Sequence, residues 1–154
     1  MKIEVWWIGK TTAKAFLPIV ADYEKRLGRF HSITIREFPS AKDKNPNQQK
    51  IKEGNQLLKH IDKSDHIVLL DERGSMHSSQ EFANYINKKA ISISHKLIFI
   101  VGGPYGFSQK LYTRANELHA LSLMTFTHEM VRLFFLEQLY RAFTIIHHHP
   151  YHNS

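Results

Sequence analysis

The sequence predicts an α/β domain built on a mainly parallel sheet flanked by helices. Short apolar runs rich in β-branched residues alternate with stretches of helical spacing, the signature of strand–helix units. Several of the runs are continuously apolar, as strands covered on both faces require. The 154 residues amount to one domain, residues 1–154, because a chain of this length buries roughly 70% of its unfolded surface and folds without staples.

Each element follows from its local pattern. Residues 3–8 alternate and are rich in β formers, so they read as the first strand. Residues 13–27 have helical apolar spacing, with Pro18 marking a kink or a late start. Residues 33–38 form the second strand. A polar loop with two prolines, 39–48, leads into a lysine-rich exposed helix over 48–61 in which Gly54 is a weak point. Residues 67–70 are a short buried strand ending in the charged turn Asp71, Glu72, Arg73 and Gly74. Ser78 and Glu81 have the spacing of a capping box, which opens a helix through Ala90. Residues 97–101 form the fourth strand and run into Gly102-Gly103-Pro104-Tyr105-Gly106, after which Ser108 caps another helix. Residues 121–126 are expected as a fifth strand. Thr127 then serves as N-cap of the longest helix, 128–146, with Glu129 in its first turn. That helix has more apolar residues than one core-facing stripe needs, so a second face is expected to pack on another subunit. Glu137 and Arg141 have the i, i+4 order of a helix ion pair. Arg141 is therefore either half of that pair or a donor aimed at phosphate.

Composition narrows the functional classes. There is no cysteine, which excludes disulfides, thiolate metal sites and a catalytic thiol and fits a reducing compartment. The first residues lack the apolar region and cleavage site of a signal peptide. The most apolar stretch, 130–146, is interrupted by Arg132, Glu137 and Arg141, so no membrane span and a cytoplasmic location are expected. The formal net charge is +7, and its distribution is uneven. Residues 1–63 contain thirteen Lys/Arg against seven Asp/Glu, whereas 64–154 contain eight against seven together with nine of the eleven histidines. Such a lysine-rich face either is simply solvated or attracts nucleic-acid phosphate by releasing counterions.

The candidate chemistry collects at strand ends, where open α/β sheets bind ligands. The glycine turn after residues 97–101 matches neither G-x-G-x-x-G nor a Walker loop, which disfavours dinucleotide and nucleoside-triphosphate sites. Asp71 and Glu72 are adjacent and point to opposite sides of an extended chain, which argues against a paired acid–base site. The tail, His147-His148-His149-Pro150-Tyr151-His152, invites a metal reading. Consecutive histidines rarely converge on one ion, however, and no H-E-x-x-H is present, so no metal is expected.

The ordered succession of these motifs closely resembles the ribosomal RNA large subunit methyltransferase H family. It runs from Leu70 and its turn through Gly102-Gly103-Pro104-x-Gly106, residues 121–126, His128 and Val131-Arg132. It continues with Glu137-x-x-Tyr140-Arg141-Ala142 and His149-Pro150-Tyr151-His152. The resemblance spans essentially the whole chain. It implies a SPOUT-type fold with a C-terminal trefoil knot, an exception to the rule against knots. It also implies a homodimer with composite sites and methyl transfer from S-adenosylmethionine to N3 of a pseudouridine in helix 69 of 23S rRNA, on assembled ribosomes. By the same resemblance, the cofactor contacts Leu70, Gly102, Leu121, Ser122, Leu123, Met124, Thr125 and Phe126. His152, Tyr151 and Arg141 carry the chemistry as base or orienting groups, and Arg132, Arg141 and His152 meet the RNA. Two departures stand out: Asn153 and Ser154 follow His152 where the family commonly has Arg or Lys, and Thr127 replaces a common proline. The competing expectations are a non-catalytic ribosome- or RNA-binding module and a SPOUT methyltransferase acting on tRNA.

Overall fold

The computed structural model describes residues 1–153, so Ser154 lies outside the described residues. Strands and helices alternate along the chain: β1 (Lys2–Ile8), α1 (Leu17–Leu27), β2 (Ile33–Phe38), α2 (Pro46–Leu58), β3 (His66–Met76), α3 (Ser79–Ser92), β4 (Lys96–Val101), α4 (Gln109–Arg114), β5 (Glu117–Ala120) and α5 (His128–Ile146). The strands pair in parallel throughout, in the order β2-β1-β4-β3-β5.

The period-two alternation of each strand divides the core into two layers. Val5 and Trp7, Val68, and Leu97, Phe99 and Val101 face one side, where Phe82 and Ile86 of α3 and Phe135, Leu136 and Leu139 of α5 cover them. Trp6 and Ile8, Ile67 and Leu69, and Ile98 and Ile100 face the other, beneath Leu57 of α2 and Leu111 of α4. Both faces of β4 are therefore buried, which explains its uninterrupted apolar sequence.

Local signals place most boundaries. Ser78 Oγ accepts from the Glu81 amide at 3.2 Å and Glu81 Oε2 accepts from the Ser78 amide at 2.7 Å, completing the expected capping box. Thr127 Oγ1 accepts from the Met130 amide at 3.3 Å and opens α5 where predicted. Pro18 lies in the first turn of α1, so the late start holds and there is no kink. Asn45 caps α2, with Pro46 in its first turn, two residues before the expected beginning.

Two expectations need correction. The fifth strand is Glu117–Ala120, not 121–126. Ser122 Oγ takes the Met124 amide at 3.0 Å, a local turn that withdraws the backbone from the ladder. β3 also extends well beyond residue 70. Both Leu70 and Ser75 pair with His119, so residues 71–74 leave the ladder as an excursion. Gly74 permits the return: a Cβ there would lie 2.5 Å from backbone atoms of Leu118 and His119.

The surplus apolar surface of α5 is largely consumed within the chain. Phe135, Leu136, Leu139, Tyr140, Ala142 and Phe143 are all buried, because α1 and α3 flank the helix over the sheet. Phe134 remains 41% exposed, with its ring centroid 5.1 Å from that of Phe126.

Candidate active site

A cavity of about 550 Å³ opens at the carboxyl ends of β3, β4 and β5. Seven of the eight predicted cofactor positions line it: Leu70 from β3, Gly102 after β4, and Leu121, Ser122, Met124, Thr125 and Phe126 after β5. Leu123 does not line it and is 78% exposed. At Gly102 an added Cβ would stand 3.2 Å from the Phe107 ring, so the missing side chain lets Phe107 pack beneath the glycine turn. The head of α5 closes one side through His128 and Val131.

The excursion 71–74 supplies the charge. The Asp71 side chain is only 9% exposed. It pairs with Arg73, with Nε at 3.2 Å, and accepts from the Tyr112 hydroxyl. Burial raises the Asp71 carboxyl, but the hydrogen bonds from Arg73 and Tyr112 outweigh it and leave the group below its ordinary value. The Tyr112 phenol, partly buried beside that carboxylate, is pushed up to about 12. His119, which pairs with the residues bracketing the excursion, is held down to about 4, first by burial and then by His77, whose Nδ1 lies 3.1 Å from its own. His128 is lowered by burial and by the nearby Arg132. The lining thus combines backbone and apolar side chains with the imidazoles of His119 and His128, the Asp71–Arg73 ion pair and Glu72.

This arrangement fits the cofactor that the resemblance implies. The volume lies within the roughly 300–1,000 Å³ of small-molecule sites. Backbone of the glycine turn, the Asp71–Arg73 ion pair and Glu72 all line it, so polar groups of both signs border an otherwise largely apolar space.

The predicted chemical residues gather elsewhere. The tail after α5 folds back on the helix, and none of Arg141, Tyr151 and His152 lines the cavity. Glu137 Oε1 accepts from Arg141 Nε at 3.1 Å, from Arg141 Nη2 and from the Tyr151 hydroxyl at 3.1 Å. Arg141 Nη1 lies 3.3 Å from His152 Nδ1, and its guanidinium stacks 4.8 Å from the Tyr151 ring centroid. Tyr140 meets Tyr151 edge-on, and Tyr23 and Arg26 of α1 complete the cluster. Burial, with Tyr23 and Glu137, holds the Tyr151 phenol well above its ordinary range. Of the two alternatives for Arg141, the structure shows the helix ion pair with Glu137, and its Nη1 also reaches His152 in the tail.

Arg132 is not where an RNA contact needs it. It is 1% exposed, donating to the Ile8 carbonyl at 2.7 Å and to Thr11 Oγ1 at 3.0 Å, with its guanidinium 5.0 Å from the Trp7 ring centroid. It ties the end of β1 to α5 from inside the protein. Residue type could not distinguish this from a surface arginine. Sequence reasoning also missed His119, Tyr112 and Phe107 in the cavity wall, and Glu137 as the hub of the tail cluster. Only Glu137 had a signal, its place in the Glu137-x-x-Tyr140-Arg141-Ala142 motif.

Among the described residues, no three His, Cys, Asp or Glu side chains stand together as a metal site, and no helix is long and apolar enough to cross a membrane.

A family model described as "Predicted SPOUT methyltransferase" matches residues 1–152. The chain is 46% identical to the ribosomal RNA large subunit methyltransferase H of Christiangramia forsetii, over 99% of both chains. It is 44% identical to the proteins of that name from Parabacteroides distasonis and Flavobacterium johnsoniae, over 100% of each chain. Among solved structures, the putative methyltransferase Lpg2936 from Legionella pneumophila, in complex with SAM, overlaps with a TM-score of 0.46 at 13% identity, covering 90% of this chain and 65% of that one.

Proposed function

The chain belongs to the SPOUT methyltransferase family, among the ribosomal RNA large subunit methyltransferases H, and from that premise we propose that it methylates N3 of a pseudouridine in helix 69 of 23S rRNA on assembled ribosomes, using S-adenosylmethionine. The observation that carries this reading is the cavity itself, because seven of the eight residues implied by the resemblance converge there from three separate strand ends. When bound, the cofactor supplies a methyl group activated on a sulfonium, so the protein's task is orientation and exclusion of water.

The chain's own residues divide that task. The backbone of the glycine turn and of 121–126 would hold the cofactor, with the Asp71–Arg73 pair and Glu72 in the same wall. Arg141, Tyr151 and His152 form the substrate-side cluster. Val131 in the cavity wall and Arg141 are ten residues apart on one helix, about 15 Å along its axis. A single chain therefore does not bring the two halves onto one atom, which supports a homodimer in which each cavity receives the partner's tail. The half-exposed Phe126 and Phe134, with exposed Leu123 and Met124, form an apolar patch beside the cavity suited to that contact. The C-terminal trefoil knot implied by the family belongs to the same proposal. Exposed Lys42, Lys44, Lys59 and Lys63, flanking α2, offer positive charge for rRNA phosphate, and work on the ribosome implies a cytoplasmic location.

The test supplies purified protein with labelled adenosylmethionine and ribosomes lacking the modification, with tRNA in a parallel reaction. Saturable transfer to one 23S pseudouridine is expected. Normal cofactor binding without transfer to ribosomes, or transfer to tRNA instead, overturns the substrate assignment.

A further inference from the structure

The tail cluster contains donors where a base would be expected. Guanidinium has no acceptor. In the contact between Arg141 Nη1 and His152 Nδ1, at 3.3 Å, the imidazole nitrogen must therefore accept, and the ring proton belongs on Nε2. Arg141 is in turn fixed by Glu137, which engages its Nε and Nη2 and leaves Nη1 for the histidine. Tyr151 donates its hydroxyl to the same carboxylate oxygen. The remaining charged and titratable groups packed around the cluster, Tyr23, Arg26 and Tyr140, surround the tyrosine rings.

We propose, building on the function assigned above, that this cluster binds the pseudouridine as its N3 anion, with His152 donating through Nε2–H to a carbonyl oxygen and Glu137 acting as the positioning residue that sets this tautomer through Arg141. N3 lies between two carbonyls, and loss of its proton spreads the negative charge over both oxygens. Donors on those oxygens raise the fraction of anion at neutral pH, as an oxyanion site does. The N3–H bond breaks with transfer of the proton to solvent water or hydroxide. The N3 electron pair then forms the bond to the methyl carbon as the carbon–sulfur bond breaks, and the carbon–sulfur bonding pair stays on sulfur, leaving a neutral thioether. No side chain of the cluster takes the proton.

Two measurements test this. Nitrogen-15 NMR of imidazole-labelled full-length protein, without substrate, reads the His152 tautomer directly. Nε2–H is expected in the unsubstituted protein and a mixture in Glu137→Gln. An Nδ1–H ring in the unsubstituted protein overturns the inference, whatever the substrate proves to be. The second is the pH–rate profile on ribosomes. His152→Gln keeps a donor near the position of Nε2 but has no basic nitrogen, so it should stay within about tenfold of the unsubstituted rate and retain the same profile shape. His152→Ala should fall by about 100-fold or more, the loss typical of a removed oxyanion donor. Glu137→Gln should lower kcat more than it changes KM. If His152→Gln falls as far as His152→Ala and loses an inflection, histidine is the base and the proposal fails. If the unsubstituted protein transfers no methyl to ribosomes, the functional reading fails instead, while the NMR result still stands.

Discussion

At the scale of single residues, the decisive variable is where a side chain ends, and residue type does not specify it. Arg132 illustrates the difficulty. An arginine early in a helix beside a cofactor loop has the same letter whether it meets phosphate or lies beneath a tryptophan. Here its two hydrogen bonds close the end of β1 against α5, while its Nε has no partner. Burial lowers its pKa, and the nearby carboxylates of Glu129 and Glu37 partly offset this. Arg132→Ala should therefore act on stability. It opens a cavity under Trp7 and strands the Ile8 carbonyl, at a cost of about 3 kcal/mol. Arg132→Met should recover part of that cost by restoring volume. Urea unfolding reads both, and KM for ribosomes in the folded fraction should change little. A rise in KM with unaltered stability would return Arg132 to the RNA surface. Gly74 is a second case, since a Cβ there meets backbone that cannot step aside. Gly74→Ala should cost about 1–3 kcal/mol and loosen the Asp71 wall, seen as weaker cofactor binding in calorimetry.

At the scale of elements, patterns that act within one or two turns were legible in the sequence, and pairings across the chain were not. The capping box at Ser78, the Thr127 and Ser108 caps and the bounds of β1, β2 and α5 all follow from neighbours in sequence. The fifth strand was misplaced by a few residues because 121–126 is as apolar as a strand but has no ladder to join. Its Leu123 and Met124 are exposed, while the plainer Glu117–Ala120 pairs with β3. The long-range pin between α5 and the loop after β1 was likewise invisible. Glu129 accepts from the Thr12 amide at 2.6 Å, the Thr12 hydroxyl at 2.7 Å and the Ala13 amide at 3.2 Å. These donors, the Thr12 hydroxyl foremost, hold its carboxyl below the ordinary 4.5. A depressed folded-state pKa means that the pin is fully present above 4.5 and is lost as pH falls through the lower folded value. Amide protection at Thr12 and Ala13 should hold from neutral pH down to about 5 and then fall relative to the β4 amides. Glu129→Gln should show the weakened protection already at pH 7. Unchanged protection in that variant would leave the contact without energetic weight.

At the scale of the whole molecule, the sequence located the cofactor loops but could not show that the tail cluster stands apart from them. That separation arises because one helix carries both, with the cavity at its head and Arg141 almost three turns beyond Val131. In the proposed dimer each active site takes its cavity from one chain and its tail from the other, which makes complementation a stringent test. Gly102→Val pushes into Phe107 and disables the cavity, while His152→Ala disables the tail. Each variant alone should be inactive. Unfolded together, refolded and mixed at equal amounts, they form mixed dimers in half of the molecules, and each mixed dimer has one chain's intact cavity facing the other's intact tail. About a quarter of the activity of the unsubstituted protein should return, because an isologous dimer has two equivalent sites and only one of them is whole. If each site were built within one chain, no mixed dimer would contain a complete site and the mixture would stay as inactive as its components. A third variant, Phe134→Glu, addresses the apolar patch directly. It places a charge on the face proposed to meet the partner, so sedimentation should shift toward monomer and transfer should be lost. Cofactor binding should weaken far less, because the cavity wall comes from one chain. Loss of dimer with full transfer would separate the patch from the active site and end the composite reading.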